Sequence, residues 1–304
     1  MKKNESRNIA TYLLFVLPGL ILYLLIVAYP ILYSVVLSFS DYNPNIGGKW
    51  HFVGAENYKN MITAPAFWNG FKNNMIIVAV SVLGQIPIGF LLAFILYRKQ
   101  IKGRSFFQSM VFLPQFLSTI VIGILWRMIF SADGPMSAIM QFFTGNPDVQ
   151  CRVMLHKNTA MIPIAVALIW MYTGMYMIIF LANLQKIDDS MIEAAKIDGA
   201  SESRIFISLI VPLLAGTVLT SAILAIAGSL KSFALIYAIA PDGIVQKNVE
   251  VLSVFMYRTA FHNYTDPLRY AFGASISNTI VIISAVMILI SKKIGRRLGT
   301  EEEY

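Results

Sequence analysis

The stretch that decides the fold is Gln185–Pro212, QKIDDSMIEAAKIDGASESRIFISLIVP. It is a polar island between two apolar runs, Met161–Leu184 and Ile207–Ala227. Each run is long enough to cross a bilayer, which takes ~20 apolar residues. A plain connection between spanning helices needs far fewer residues. We therefore predict that this segment, called the elbow below, has a structure of its own.

The beginning of the elbow carries signals for a helix start. Ser190 and Glu193 have the spacing of a capping box, in which each side chain satisfies an orphan backbone N–H. Asp188 and Asp189 come just before and favour the positive end of the helix dipole. A short amphipathic helix is therefore predicted here.

The remainder of the elbow predicts a break and a second helix. Ala194-Ala195 extends the first helix, and Asp198-Gly199 ends it because glycine tolerates the left-handed cap. A second short helix is expected to start near Ser201 and to run into the next span, with Pro212 inside that run.

The spacing of these residues carries a resemblance. Glu193–Ala195, Asp198–Ala200 and Leu209–Pro212 together resemble the EAA loop of binding-protein-dependent ABC importer permeases. The resemblance implies a cytoplasmic loop, about residues 185–206, that couples the permease to an ATPase. The implied coupling residues are Ser190, Glu193, Ala194, Ala195, Asp198, Gly199, Ala200 and Pro212. The alternative is a capped helix that only links two spans.

Composition places the whole chain in a membrane. Of its 304 residues, 57% are hydrophobic and 13% are charged, about half the ~25% charge of soluble domains. The single Cys151 excludes an internal disulfide and a cysteine-based zinc site. The three histidines lie apart, without metal-ligand spacing. No metal site is therefore expected.

Apolar runs predict an all-α integral membrane protein with one transmembrane domain over residues 1–304. The first run is long enough to extend beyond the bilayer or to kink at Pro18 or Pro30. The six predicted spans are about residues 11–39, 73–97, 106–130, 161–184, 207–230 and 268–290.

The distribution of basic residues predicts the orientation. With both termini in the cytoplasm, the cytoplasmic segments hold fourteen Lys and Arg residues. The longer external loops hold six away from the ends of the spans, namely Lys49, Lys59, Arg152, Lys157, Lys247 and Arg258. Short cytoplasmic loops are enriched in Lys and Arg in membrane proteins. The elbow is therefore predicted to face the cytoplasm, where an ATPase would lie.

Segments outside the elbow narrow the resemblance. Leu13–Tyr42 and Phe52–Tyr58 are similar to the first of two paired permeases in carbohydrate ABC importers, whereas Ala240–Gly243 departs from that pattern. The resemblance implies the type I importer permease fold in a bacterial cytoplasmic (inner) membrane. It also implies a heterodimer with a second related permease, two ATPase subunits that hold ATP and Mg, and an extracytoplasmic solute-binding protein. The chain itself would bind no cofactor or nucleic acid and would catalyse no reaction.

Other functions remain as alternatives. A permease of this kind could carry a non-sugar solute such as glycerol phosphate or a polyol. An ion-coupled secondary transporter is a different class, and proton-coupled carriers need carboxylates or histidines inside the membrane. No Asp, Glu or His lies within the six predicted spans, which disfavours that class but leaves sodium coupling possible. An integral-membrane enzyme would need clustered acids, bases, nucleophiles or metal ligands, which the sequence lacks.

A sugar site needs aromatic faces and a few polar groups. Span four places Tyr172, Tyr176 and Asn183 within about 40° of one another on one helix face. Further candidates for the substrate pathway are Gln115, Ser118, Ser221, Lys231 and Ser232. Packing between helices is the alternative role for the tyrosines and the hydroxyl residues. Lys231 either snorkels to the far interface or turns into the pathway where the helix breaks at Gly228-Ser229.

Overall fold

The computed structural model of the chain describes residues 2–44, 50–98, 102–241, 243–262 and 269–297. Helices dominate these ranges, and an isolated antiparallel bridge pairs Ser40 with Phe52. The chain divides into two compact units, of which the first comprises Met1–Pro65 with Met256–Thr279. The second comprises Ala66–Phe255 with Ile280–Tyr304. A single domain over residues 1–304 stays a prediction.

The first apolar run forms one long helix. It consists of α1 (Lys2–Tyr23), a π-helical turn (Leu24–Ala28) and α2 (Tyr29–Leu37). The helix begins before the predicted start at Thr11. Its irregular turn comes directly before Pro30, one of the two residues predicted to kink it, whereas Pro18 lies inside α1.

The segment after α2 contains a short helix, α3 (Glu56–Thr63). Its buried Asn57 donates from Nδ2 to the carbonyl oxygens of Ser38, at 2.9 Å, and Ser40, at 2.7 Å. These bonds satisfy backbone carbonyls that the end of α2 leaves unpaired. The Asn57 side chain therefore holds α3 against the end of α2. The predicted Gly47-Gly48 turn lies outside the described residues.

Span two is longer than predicted. It consists of α4 (Pro65–Val80), a π-helical turn (Ser81–Gln85) and α5 (Ile86–Tyr97). The helix begins at Pro65 instead of Asn73, because proline at the first helical position has its φ preset and needs no N–H partner. It ends at Tyr97, as the sequence predicts.

Span three is interrupted, which the sequence prediction of one run over residues 106–130 did not include. Helix α6 (Arg104–Phe112) passes through a 3₁₀ turn (Leu113–Phe116) and is followed by α7 (Thr119–Ile129), at a bend of 97°. Pro114 lacks the N–H that would continue the ladder, and Leu117 is extended with ψ 147°. Helix α8 (Pro135–Thr144) follows in the predicted external segment.

Span four is α9 (Met161–Leu184), which has the predicted bounds. The elbow follows with α10 (Asp189–Ile197) and α11 (Glu202–Ile205). The chain then continues through a π-helical turn (Phe206–Ile210), α12 (Val211–Leu213) and α13 (Ala215–Leu230). Span five is thus bent by 70° beside Leu214, just after Pro212, and ends at the predicted residue.

Four further helices complete the described chain, namely α14 (Ala234–Ile239), α15 (Gly243–Val249), α16 (Leu252–Phe261) and α17 (Tyr270–Arg297). Helix α17 is span six and extends beyond the predicted end at Ile290, while residue 268 lies outside the described ranges. Among the described residues, four helices are long and apolar enough to cross a membrane. The number is six if each bent pair forms one span.

Helices α5 and α9 pack closely against each other in the second unit. A Cβ on Gly89 would lie 2.7 Å from Cβ of Tyr176, so only glycine permits this approach. Phe90 and Phe180 stack beside it, with ring centroids 4.4 Å apart. Small residues at such crossings allow close packing in membranes, where water exclusion contributes little. The pair forms the scaffold against which the elbow packs.

Candidate functional site

The first elbow helix is capped by a different residue from the one predicted. Asp188 is the N-cap, in extended conformation, and its Oδ1 accepts from the N–H of Ser190 at 2.9 Å. The predicted Ser190–Glu193 capping box is therefore wrong, because Ser190 already lies in the first turn. The bond from the Ser190 amide holds the pKa of Asp188 below its usual range. Glu193 is left exposed.

The end of this helix follows the prediction. Gly199 has φ +78°, its N–H donates to Lys196, and the N–H of Ala200 donates to Ala195, each at 3.0 Å. This pattern is a Schellman motif. No atom of the described chain lies within 4 Å of a Cβ built on Gly199, so that face of the turn is open.

The second elbow helix also starts where expected. Ser201 is its N-cap, and the Ser201 hydroxyl accepts from the N–H of Arg204 at 3.3 Å. Ile192 and Ile205 anchor the two short helices in the hydrophobic core that α5 and α9 share. The elbow is therefore a packed structure with one buried and one open face.

The open face is partly apolar. Ile197 is 86% exposed and Met191 is 43% exposed, beside the exposed Glu193, Ala194 and Asp198. An exposed apolar patch rimmed by polar residues is typical of a protein–protein contact. Pro212 is also exposed, whereas Ala195 and Ala200 are half-buried against the core. Some of the predicted coupling residues therefore form the open surface, and others pack beneath it against the core.

Polar contacts attach the elbow to the end of span two. The Tyr97 hydroxyl donates to Oδ1 of Asp189 at 2.9 Å, and the Arg98 guanidinium pairs with Glu202. Lys196 approaches the same Glu202 carboxylate at 4.0 Å. These contacts were not predicted from the sequence, in which Arg98 was counted only among the basic residues that indicate the orientation of the protein in the membrane.

The predicted pathway residues on span four have different surroundings. Tyr172 is half-buried, whereas Tyr176 is 2% exposed and packs against Gly89. Asn183 is half-buried, and its Nδ2 donates to the carbonyl of Ile179 within the same helix. Thus Tyr172 and Asn183 remain accessible, and Tyr176 does not. The pathway role of all three stays a prediction.

The span-three candidates lie at the break between α6 and α7. Gln115 is half-buried in the 3₁₀ turn, and its Oε1 is buried without a hydrogen-bond partner among the described residues. Ser118 is exposed at the start of α7. A broken helix of this kind exposes backbone groups where polar solutes could bind.

The span-five candidates lie within α13 and directly after its end. Ser221 is fully buried, with its hydroxyl unpaired among the described residues. Lys231 is the exposed C-cap residue, so the helix ends there and not at Gly228-Ser229. Ser232 is half-buried, and its carbonyl accepts from the Ser253 hydroxyl at 2.8 Å. Snorkelling or a pathway role for Lys231 stays open.

A buried polar stripe on span two was missed. Asn74, Ser81 and Gln85 are at most 3% exposed. Ser81 and Gln85 lie seven and eleven residues after Asn74, a spacing that places all three on one helix face. Asn74 donates to the carbonyl of Ser229 at 3.3 Å, and Ser229 donates to the Ser81 hydroxyl at 3.0 Å. The period of these polar residues was visible in the sequence.

The second unit also holds a cavity of about 300 Å³. Arg127, Arg152 and Cys151 line it, together with apolar residues that include Phe130 and Ile239. None of the predicted pathway residues is among its lining residues. The cavity is therefore separate from the candidate sugar contacts.

Comparison with known proteins gives consistent matches. Residues 85–299 match the family described as binding-protein-dependent transport system inner membrane component. A probable ABC transporter permease protein of Pyrococcus horikoshii is 28% identical over 94% of this chain and 96% of its own. The lactose transport system permease protein LacF of Rhizobium radiobacter is 31% identical over 90% of each chain.

The fold is also found among solved structures. A chain of a bacterial ABC transporter that imports the acidic polysaccharide alginate has a TM-score of 0.82. Its sequence is 19% identical, and the match covers 97% of this chain and 98% of that chain. The predicted all-α membrane permease fold is thereby confirmed. The chain belongs to the family of binding-protein-dependent transport system inner membrane components, the permeases of ABC importers.

Proposed function

We propose that the chain is one transmembrane subunit of an ATP-driven importer that moves a sugar or oligosaccharide into a bacterial cytoplasm. A solute-binding protein would deliver the sugar, and a second related permease would complete the pore. Two ATPase subunits would bind ATP and Mg and perform the hydrolysis. The chain would lie in the cytoplasmic (inner) membrane and would catalyse no reaction.

The elbow is the observation that carries this proposal. It combines a capped α10, a Schellman turn at Gly199 and an open face that includes the 86% exposed Ile197. A connector between two spans needs none of these features. A rigid helix with one anchored and one apolar open face fits a docking contact with an ATPase.

Support for a sugar as cargo comes from the relatives and from the accessible polar groups. LacF is named for lactose transport, and it aligns with 90% of this chain. Tyr172 offers an aromatic face, and Asn183 and Ser118 offer hydrogen-bonding groups. An aromatic face with a few polar groups beside it is what a sugar site requires.

The decisive experiment reconstitutes the full complex with its binding protein in proteoliposomes. ATP hydrolysis and uptake are then measured with a panel of sugars, glycerol phosphate and polyols. Stimulation of both by one sugar supports the proposal. Stimulation by glycerol phosphate or a polyol alone would show that the transported solute is not a sugar. Uptake by the purified chain alone, driven by a sodium gradient and unaffected by ATP, would show that the protein is a secondary transporter and not an ABC importer subunit.

Orientation has its own test. A cysteine in place of Ser201 should react only with a reagent applied to the cytoplasmic side, and a cysteine in place of Gly48 only from outside. The labelling is carried out in the Cys151→Ser background, so that the native thiol does not contribute. A reversed pattern would contradict the cytoplasmic elbow and with it ATPase docking.

A further inference from the structure

Two neighbouring residues at the end of α5 reach both short helices of the elbow. The Tyr97 hydroxyl donates to Oδ1 of Asp189, the first residue of α10, at 2.9 Å. The Arg98 guanidinium pairs with Glu202, the first residue of α11. The end of span two thus contacts the beginning of each elbow helix.

Glu202 connects the elbow helices to each other as well. Its carboxylate lies 4.0 Å from Nζ of Lys196, in the last turn of α10, while it also pairs with Arg98. One carboxylate therefore joins three helices. A charged group with two partners holds its position better than one in a single exposed pair.

A third attachment is aromatic. The ring of Phe206, which follows α11, lies 5.1 Å from the ring of Phe90 and 4.7 Å from that of Phe94. Both partners belong to α5. Centroid separations of this size are typical of favourable ring contacts. The elbow is therefore attached to α5 by hydrogen bonds, by charge and by apolar packing.

Burial makes the ion pair more than a surface contact. The Arg98 side chain is 12% exposed, while that of Glu202 is 48% exposed. Exposed pairs contribute little, but a shielded charge that loses its partner is strongly destabilised. Separating the elbow from α5 would therefore break this pair and remove the carboxylate partner of Arg98.

We propose that Tyr97 and Arg98 are positioning residues that clamp the elbow to span two, so that elbow and span move as one body during transport. The inference rests on the proposed function, because the ATPase would supply the displacement. Span two extends from this clamp to Asn74, which bonds the backbone of Ser229 and Leu252. A displacement of the elbow would therefore reach the segment that contains Lys231 and Ser232.

Charge exchange in the full complex tests the ion pair. Arg98→Glu and Glu202→Arg should each lower the ATP hydrolysis stimulated by loaded binding protein by about tenfold per assembled complex. The combined exchange re-forms the pair with Arg98 in reversed charge but not the exposed contact with Lys196, so it should restore stimulation to within about threefold of wild type. The control is Lys102→Glu, a charge reversal at an exposed residue four positions further along the chain that should leave stimulation unchanged. Single variants that behave like this control, or a double variant as impaired as the singles, would overturn the clamp.

Cross-linking tests the shared movement even if a charge variant assembles poorly. Arg98→Cys with Glu202→Cys, in the Cys151→Ser background, removes the ion pair and permits a short cross-link. We expect cross-linking to restore stimulated hydrolysis. Its abolition by the cross-link would mean that elbow and span two move apart, which overturns the inference. Sugar uptake by the wild-type complex is measured in parallel. Stimulated hydrolysis without uptake would contradict the proposed sugar cargo, whereas the hydrolysis of the variants would still test the clamp.

Discussion

The side chain of Asn74 accepts a hydrogen bond from the backbone N–H of Leu252, 178 residues further along the chain, at 2.9 Å. The same side chain donates to the carbonyl of Ser229. Asn74 is fully buried, so water cannot replace either bond. The Asn74 amide therefore connects span two to the last turn of α13 and to the first residue of α16.

Asn74→Ala should destabilise the permease. The change leaves the buried N–H of Leu252 without its Asn74 partner, at a cost of about 1–3 kcal/mol. The Ser229 carbonyl also loses its bond from Asn74 but keeps one from the N–H of Ser232. A lower midpoint of thermal unfolding in detergent, compared with the wild-type chain, is the expected result.

Asn69→Ala is the matched control for this prediction. Asn69 also donates to a backbone carbonyl, that of Lys247, at 2.9 Å, but this bond is exposed and water can replace it. Its loss should change the midpoint much less. Equal midpoints for the two variants would show that the Asn74 bonds contribute no special stability.

Tyr172→Ala and Tyr176→Ala should have different effects although both residues were predicted to line the pathway. Tyr176 is buried against Gly89, so its truncation leaves a cavity at a cost of about 3–5 kcal/mol, the range for large aromatic side chains. Tyr172 is half-buried, so its truncation should weaken sugar-dependent uptake with less loss of assembled complex.

The two effects are separated by measuring uptake per assembled complex. Tyr172→Phe keeps the ring and removes the hydroxyl, which distinguishes stacking from hydrogen bonding. Normal uptake by Tyr172→Ala, or a defect that follows poor assembly alone, would assign Tyr172 to helix packing and place the sugar contacts elsewhere.

Asp188→Ala should loosen the start of α10 more than Ser190→Ala does. The Asp188 carboxylate accepts from the Ser190 amide, whereas the Ser190 side chain lies in the first helical turn. Loss of an N-cap acceptor leaves an orphan N–H and frays the helix. Amide hydrogen exchange over residues 190–192 is the measurement. Faster exchange in Ser190→Ala than in Asp188→Ala would show that Ser190 is the cap, as the capping-box prediction had it.

The same cap should respond to acid. Because the Ser190 amide lowers the pKa of Asp188 in the folded protein, the stabilisation is complete above the ordinary pKa of a carboxyl group. It is lost as the pH falls through the lowered pKa, where the carboxylate becomes protonated. Asp188→Asn keeps an acceptor without a titrating group. Its exchange protection, corrected for intrinsic rates, should therefore stay constant over the same pH range.

Proline illustrates what the sequence can predict about these helices. Pro18 lies inside the continuous α1, whereas Pro114 lies in the 3₁₀ turn just before the 97° break in span three. Transmembrane helices tolerate proline when neighbouring groups satisfy the freed carbonyls. The outcome therefore depends on tertiary surroundings, which the local sequence does not contain. The apolar runs predicted the spans, but they did not distinguish bent from straight ones.

The elbow shows the same limit at the level of side chains. Gly199 and Ser201 were predicted from local chemistry because a left-handed turn and an N-cap depend on nearby residues. Asp188 was missed because it competes with Ser190 for the same role. The Arg98–Glu202 pair joins residues 104 positions apart. Only the packing of α5 against the elbow brings these two residues together.

Gly199→Asp is the sharpest test of the elbow as an ATPase contact. Aspartate and asparagine tolerate a positive φ better than other side chains, so the φ of +78° costs them less than it costs other residues. No atom of the described chain lies within 4 Å of the new Cβ, so the variant should insert and join its partner permease normally. We expect loss of ATPase co-purification or of hydrolysis stimulated by the binding protein, because the new charge projects from the open face.

Gly199→Asn is the matched control, because it has nearly the same shape and conformational tolerance without the charge. It should retain more docking and stimulation than Gly199→Asp. Glu193→Ala should have a milder effect than Gly199→Asp, since Glu193 is exposed and does not cap α10. If Gly199→Asp docks the ATPase and responds to loaded binding protein as the wild type does, no partner lies against this turn. The elbow would then be a connector between spans four and five, and the path of coupling would have to run through another surface of the permease.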